Sequence, residues 1–191
     1  WGGVLSDFVN DVDVSNTVDG KPIYYWISKR DMTVPFDAGY VALVNCTRIT
    51  VQNLNLTKGG QGALLAFTSN STITKNNIKN NWYGIMLLSS SYNSISGNNI
   101  TNNDQYGIYM SYASYNDISA NNITNNLTGI GLGSSSNNSI SGNNITNNWH
   151  GIWLSYSDYN SISGNNITWH RIIGILLIES SSNSFSGNNI A

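Results

Sequence analysis

The chain has 191 residues and a net charge of −2, and only 9% of its residues are charged, against about 25% in a typical globular protein. So weak a charge gives no electrostatic grip on nucleic acid or on an anionic membrane. No apolar run approaches the ~20 residues of a membrane span, and the regularly placed Ile, Leu, Tyr and Trp argue against disorder.

Residues 1–38 follow no repeat. Val12, Val14 and Val18 alternate with polar residues and predict a strand. Asp19-Gly20 predicts a turn, and Ile23-Tyr24-Tyr25-Trp26 a second strand after Pro22. These residues are expected to form irregular first coils packed on the rest, with a small hairpin among them. The chain opens at Trp1 and stops at Ala191 partway through a repeat, which reads as a processed product or a piece of something longer. Cys46 is the sole cysteine, so no internal disulfide forms, and a small buried apolar role suits it best.

From residue 39 to residue 191 one pattern returns. Asn93-Ser94-Ile95-Ser96-Gly97-Asn98-Asn99-Ile100 recurs at 116–123, 138–145, 160–167 and 183–190, with a weaker copy at 71–78. The closing isoleucines fall at 78, 100, 123, 145, 167 and 190, a period of 22 or 23 residues. A strand-like repeat of that length predicts an all-β solenoid, each copy one coil of a parallel β-helix. A Gly-apolar pair (Gly84-Ile85, Gly107-Ile108, Gly129-Ile130) precedes the next motif by nine residues, so the single-residue insertions fall in one turn, between the closing isoleucine and that glycine.

Residues two apart share a strand face, which puts Ile95, Ile100, Ile108 and Met110 inside. Two asparagine columns should point inward with them: Asn93, Asn116, Asn138, Asn160 and Asn183, and Asn76, Asn98, Asn121, Asn143, Asn165 and Asn188. Buried amides need partners. At the ~4.8 Å strand spacing each Asn can bond the Asn above and below, forming stacked ladders. Asn also tolerates the left-handed backbone of a sharp corner.

These repeats, with Asn16 to Trp26 and Asn45-Cys46-Thr47 ahead of them, resemble the β-helix repeats of NosD-type proteins, described as carbohydrate-binding and sugar-hydrolase modules of archaeal and bacterial surface proteins. The resemblance implies a right-handed, three-sheet β-helix at the cell surface or outside the cell. Such proteins are often labelled copper-binding. Here His150 and His170 are offset on neighbouring coils without a third ligand, so surface histidines are the expectation, and neither metal nor cofactor is assigned.

Sugar-cleaving β-helices need clustered carboxylates. The repeats hold only Asp104, Asp117, Asp158 and Glu179, in separate columns, while Asp11 and Asp13 share a predicted strand face in the lead-in. No catalytic residue is therefore assigned. The outward aromatics Trp82, Tyr109, Tyr112, Trp149, Trp153 and Tyr156 could meet a neighbouring subunit or a sugar ring. Asn-x-Ser/Thr sequons at Asn45, Asn55, Asn70, Asn99, Asn122, Asn126, Asn137, Asn144 and Asn166 offer glycosylation sites. The expectation is a non-enzymatic structural or adhesive rod, self-associating end to end or joined to a neighbouring surface protein or glycan. The alternatives are a carbohydrate-binding module and a glycan-cleaving enzyme.

Overall fold

The computed structural model describes residues 3–191. Almost all of it is one coil of strands wound into three parallel sheets, of nine, eight and seven strands among the described residues. Each rung gives a six-residue strand to the first sheet, such as Tyr106–Ser111, and a three-residue strand to each of the others, such as Asp117–Ser119 and Asn122–Thr124. Rungs stack in register: Ile95 lies on Ile118, Ile118 on Ile140 and Ile140 on Ile162. The inward aliphatics form one continuous core in which Ile95, Ile100, Ile108 and Met110 are wholly buried. Each such side chain contributes roughly 1.5–3 kcal/mol by leaving water.

Both predicted Asn columns are ladders. The backbone N–H and the Nδ2 of Asn98 each donate to Oδ1 of Asn121 at 3.0 Å, and Nδ2 of Asn98 also donates to the Ile73 carbonyl at 2.8 Å. Asn121 repeats this pattern onto Asn143 and the Ile95 carbonyl. The left-handed residue, however, is the one before each ladder Asn: Gly97, Ala120, Gly142 and Gly164 have φ between 53° and 64°. That residue turns the chain, and the turn aims the next side chain inward.

A third ladder stands at the corner leading back to the first sheet. Asn81, Asn103, Asn126 and Asn148 are buried and bonded in series, again behind left-handed residues (Asn80, Asn102, Asn125, Asn147). Asn126 is therefore no outward sequon. It is 3% exposed and its amide nitrogen donates to the Ile100 and Thr124 carbonyls and to Asn148 Oδ1, which removes it from the glycosylation candidates.

The glycine of each Gly-apolar pair is a packing requirement. A Cβ on Gly129 would sit 2.6 Å from Cγ2 of Ile145 and 2.7 Å from the Gly151 carbonyl. Cys46 occupies a corner column with Thr68 and Ser90. Its Sγ faces the Val44 carbonyl at 3.4 Å, as the Ser90 hydroxyl faces Leu88, and burial raises its pKa.

In the lead-in the predicted strand over Val12–Val18 shrinks to Thr17–Val18, which pairs with Lys21–Ile27 as a hairpin around Asp19-Gly20. Lys21–Ile27 and Arg30–Thr33 already belong to the first and second sheets. A short 3-10 turn, Leu5–Phe8, lies outside the first sheet. There Phe8 meets Phe67 edge-on and packs over Ala42, Leu64 and Leu88. Asp11 and Asp13 are not on a strand, and Asp13 is engaged with Ser15 and Asn16. Trp1 lies outside the described residues. Among the described residues no helix is long and apolar enough to cross a membrane.

Candidate functional site

Because strands and corners repeat, departures from the repeat carry the information. Two rungs are 23 residues long where their neighbours have 22, and in both the extra residue falls in the turn before the first sheet. Gln105 follows Trp82, and Ile172 follows Trp149, in the backbone hydrogen-bond column of that turn. The residues left over are Asp104 and Arg171. Each insertion thus adds one charged residue at the surface, three rungs apart, about 14 Å at ~4.8 Å per rung.

Between these rims lies a concavity of about 490 Å³, lined by Asp104, Asn102, Asn125, Leu127, Trp149 and Arg171 among others. Trp149 is 45% exposed, and the Arg171 guanidinium sits 5.3 Å from its ring centroid. That cation–π contact holds the indole while leaving much of it open to a ligand. The groove therefore offers a flat apolar ring, amide donors and acceptors, a carboxylate and a guanidinium.

A second concavity, about 190 Å³, opens on the outer face of the first sheet. Tyr106, Tyr109, Gly131, Gly133, Trp153 and Ser155 line it. Tyr83 stacks on Tyr106 at 5.7 Å, Tyr109 tilts against Tyr106 at 4.9 Å, and His150 meets Trp153 edge-on at 5.4 Å. Of the predicted aromatics, Trp149 belongs to the first concavity, and Tyr109 and Trp153 to the second. Tyr112 and Tyr156 are exposed at the far corner of the sheet, and Trp82 is exposed outside both. Sequence reasoning passed over Arg171, and also the exposed Tyr92–Tyr115 stack at 5.1 Å.

The histidines are not plain surface residues. His170 takes the third-ladder place after Asn148, with both ring nitrogens buried and no well-aligned partner; His150 Nδ1 is likewise buried and unbonded. Burial lowers the His170 pKa, outweighing the nearby Asn148 and Ile145 backbone, which favours its charged form. Among the described residues no three His, Cys, Asp or Glu side chains gather to hold a metal ion. Among the sequons, Asn45, Asn55, Asn70, Asn99, Asn122, Asn137 and Asn144 are exposed and Asn166 is half-buried.

A coil of three parallel sheets with a polar, aromatic groove on one corner defines a parallel β-helix protein. The chain belongs to the right-handed β-helix family: the family's right handed beta helix region matches residues 30–167 and 116–191. The resemblance to NosD-type repeats agrees with it at that level. No curated protein matches by sequence. Among solved structures, the A-module of the Azotobacter vinelandii mannuronan C-5 epimerase AlgE4 is similar with a TM-score of 0.68 at 18% identity, over 88% of this chain and 56% of that one. The Dettilon tailspike protein gives 0.61 at 16% identity, over 85% and 47%. The periplasmic alginate epimerase AlgG gives 0.56 at 15% identity, over 78% and 51%. The chain spans about half the length of these neighbours, and at such identities the likeness is one of fold.

These neighbours overturn the expectation of a non-enzymatic structural or adhesive rod. The shared coil is one on which epimerases of mannuronan and alginate are built, and a further neighbour is the enzymatically active domain of a phage tailspike. The scarcity of paired carboxylates had argued against an enzyme, but that test presumes glycosidase chemistry, and epimerisation is a different reaction.

Proposed function

We propose that this chain binds and acts on a polysaccharide, outside the cytoplasm, through the groove between Asp104 and Arg171. The observation that carries the reading is the grouping of Trp149, Asp104 and Arg171 in one concavity, built by insertions the fold itself does not need. A half-exposed indole presents the flat face on which a sugar ring stacks, and the corner amides Asn102, Asn125 and Asn147 suit its hydroxyls. Arg171 suits an acidic group on the glycan, and Asp104 is the carboxylate the groove offers for proton transfer. The polysaccharide-acting neighbours lend the same reading support at the level of class.

The test is titration of the protein with neutral and acidic polysaccharides, alongside assays for sugar release and for change of sugar configuration. Trp149→Ala, folded by circular dichroism, is expected to weaken binding about tenfold, as loss of a central aromatic anchor does. Asp104→Asn is expected to bind normally and lose turnover. Equal binding by Trp149→Ala and the parent, or no binding to any polysaccharide, overturns the reading.

A further inference from the structure

Three consecutive rungs differ in what they hold out from the first sheet. One presents Tyr106 and Tyr109 and ends at exposed Tyr112. The next but one presents His150 and Trp153 and ends at exposed Tyr156. The rung between them has Thr128, Gly131 and Ser134 at the matching places. The register is Tyr106 to Thr128 to His150, Tyr109 to Gly131 to Trp153, and Ser111 to Gly133 to Ser155. The middle rung is a floor and its neighbours are walls. The two concavities described above sit at the two ends of this rung, Leu127 and Trp149 lining the first, Gly131 and Trp153 the second, and between them Tyr106 packs over Gly131 while Thr128 is buried. Over the early rungs the same sheet face is covered by Phe8 and its surroundings.

The dimensions and chemistry of the trough choose its occupant. Its walls stand two strand spacings apart, about 9.6 Å at ~4.8 Å each. Two van der Waals contacts at ~3.5–4.0 Å take up about 7–8 Å, so one ring fits between Tyr109 and Trp153. From Leu127 to Gly133 is six residues, about 20 Å at ~3.3 Å per residue. An extended peptide would need a free strand edge to pair with, whereas the floor strand is already paired on both sides. A chain of sugar rings needs no such edge: it offers C–H faces to the aromatic walls and hydroxyls to the small polar residues.

Gly133 is the telling residue. A Cβ there would lie 3.5 Å from the Tyr109 hydroxyl and 3.9 Å from the Met110 carbonyl, ordinary contacts, and its φ is not left-handed. The fold does not demand glycine at this place, so its smallness serves the trough. At Gly131 the space is already used by Tyr106, whose Cδ1 would be 2.7 Å from a Cβ.

Resting on the polysaccharide reading, we infer that the glycan lies along the strand direction of residues 127–134, across the solenoid axis, spanning the two concavities, with Gly133 setting its depth in the second. Calorimetric titration with whichever polysaccharide binds the parent, and with oligosaccharides cut from it, tests this. Gly133→Phe, which plugs the floor, and Tyr156→Ala, at the far end from Trp149, are each expected to weaken binding about tenfold or more. Ile178→Phe, in the Gly133 column but beyond the wall, is expected to bind as the parent does. Affinity is expected to rise with oligosaccharide length until about 20 Å is spanned. Binding that survives Gly133→Phe and Tyr156→Ala but is lost in Trp82→Ala means a chain running down the solenoid axis; it overturns the transverse course and leaves the polysaccharide function standing. A parent that binds no polysaccharide overturns both.

Discussion

Removing one rung of an inner ladder should cost far more than removing its last member. In Asn121→Ala the Asn98 backbone N–H loses its 3.0 Å acceptor, and the Ile95 carbonyl loses its 2.8 Å donor. Asn98 Nδ2 keeps the Ile73 carbonyl, and Asn143 Oδ1 keeps the residue 121 backbone N–H, so two buried groups are left unpaired. At about 1–3 kcal/mol for each, the loss is about 2–6 kcal/mol, a large part of the ~5–15 kcal/mol that holds a typical domain folded. Asn188 accepts from Asn165 and donates to the Ile162 carbonyl in the same way, but it is only half-buried, so water can replace it and Asn188→Ala should cost about 1 kcal/mol. Asn121→Asp keeps the shape and loses the donor. Its carboxylate would face Asn143 Oδ1, and burial would raise its pKa, so the native state would hold the proton more tightly than the unfolded chain. That variant should therefore lose stability as pH rises from acid toward neutral. Urea unfolding followed by circular dichroism measures all three. A loss below ~1 kcal/mol for Asn121→Ala, or equal losses at 121 and 188, would refute the ladder as a source of stability.

Other predictions concern single residues. The His170 pKa is lowered by burial, so the unfolded chain takes up a proton that the native protein refuses; this contribution is present above the unfolded pKa, ~6.5, and is lost as pH falls below it. His170→Asn restores the ladder side chain, and its urea midpoint should exceed the parent's by a margin that widens from about pH 7.5 to pH 5. Gly129→Ala should cost about 1–3 kcal/mol through overpacking against Ile145 and Gly151, read as a drop in thermal midpoint. Cys46→Ser should fall within about 1 kcal/mol of the parent, because a serine hydroxyl already fills the equivalent place at Ser90. In the parent, the Cys46 thiol should stay unlabelled by thiol reagents until urea unfolds the chain.

The coil and two of its ladders were readable because Ile95 and its equivalents mark the inward face, and Asn93 and Asn98 sit two residues before an inward isoleucine. The third ladder was missed because no isoleucine follows Asn103 or Asn126 at that distance, and Asn126-Leu127-Thr128 looked like a sequon instead. A signal did exist: Asn81, Asn103, Asn126, Asn148 and His170 each stand three residues after a closing isoleucine. Aligning the turn from that side isolates Asp104 and Arg171 as the inserted residues. Their meeting with Trp149 stayed hidden, since residues three rungs apart become neighbours only when the coil is wound. Periodicity reveals what every rung shares and is blind to what one rung does alone.

The ladders have one more consequence. Each rung receives from below the same set of hydrogen bonds that it hands on above, as Asn121 does between Asn98 and Asn143. Excising 22 residues from the regular stretch would join Asn98 directly to Asn143 with no donor or acceptor orphaned, and copying 22 residues would be equally harmless. Such a gene can lengthen or shorten by unequal crossing-over without relearning how to fold. The units that cannot be exchanged freely are those marked by a lone extra residue, 104 or 171, or by a glycine the backbone never required. Change can collect there while the scaffold is copied around it.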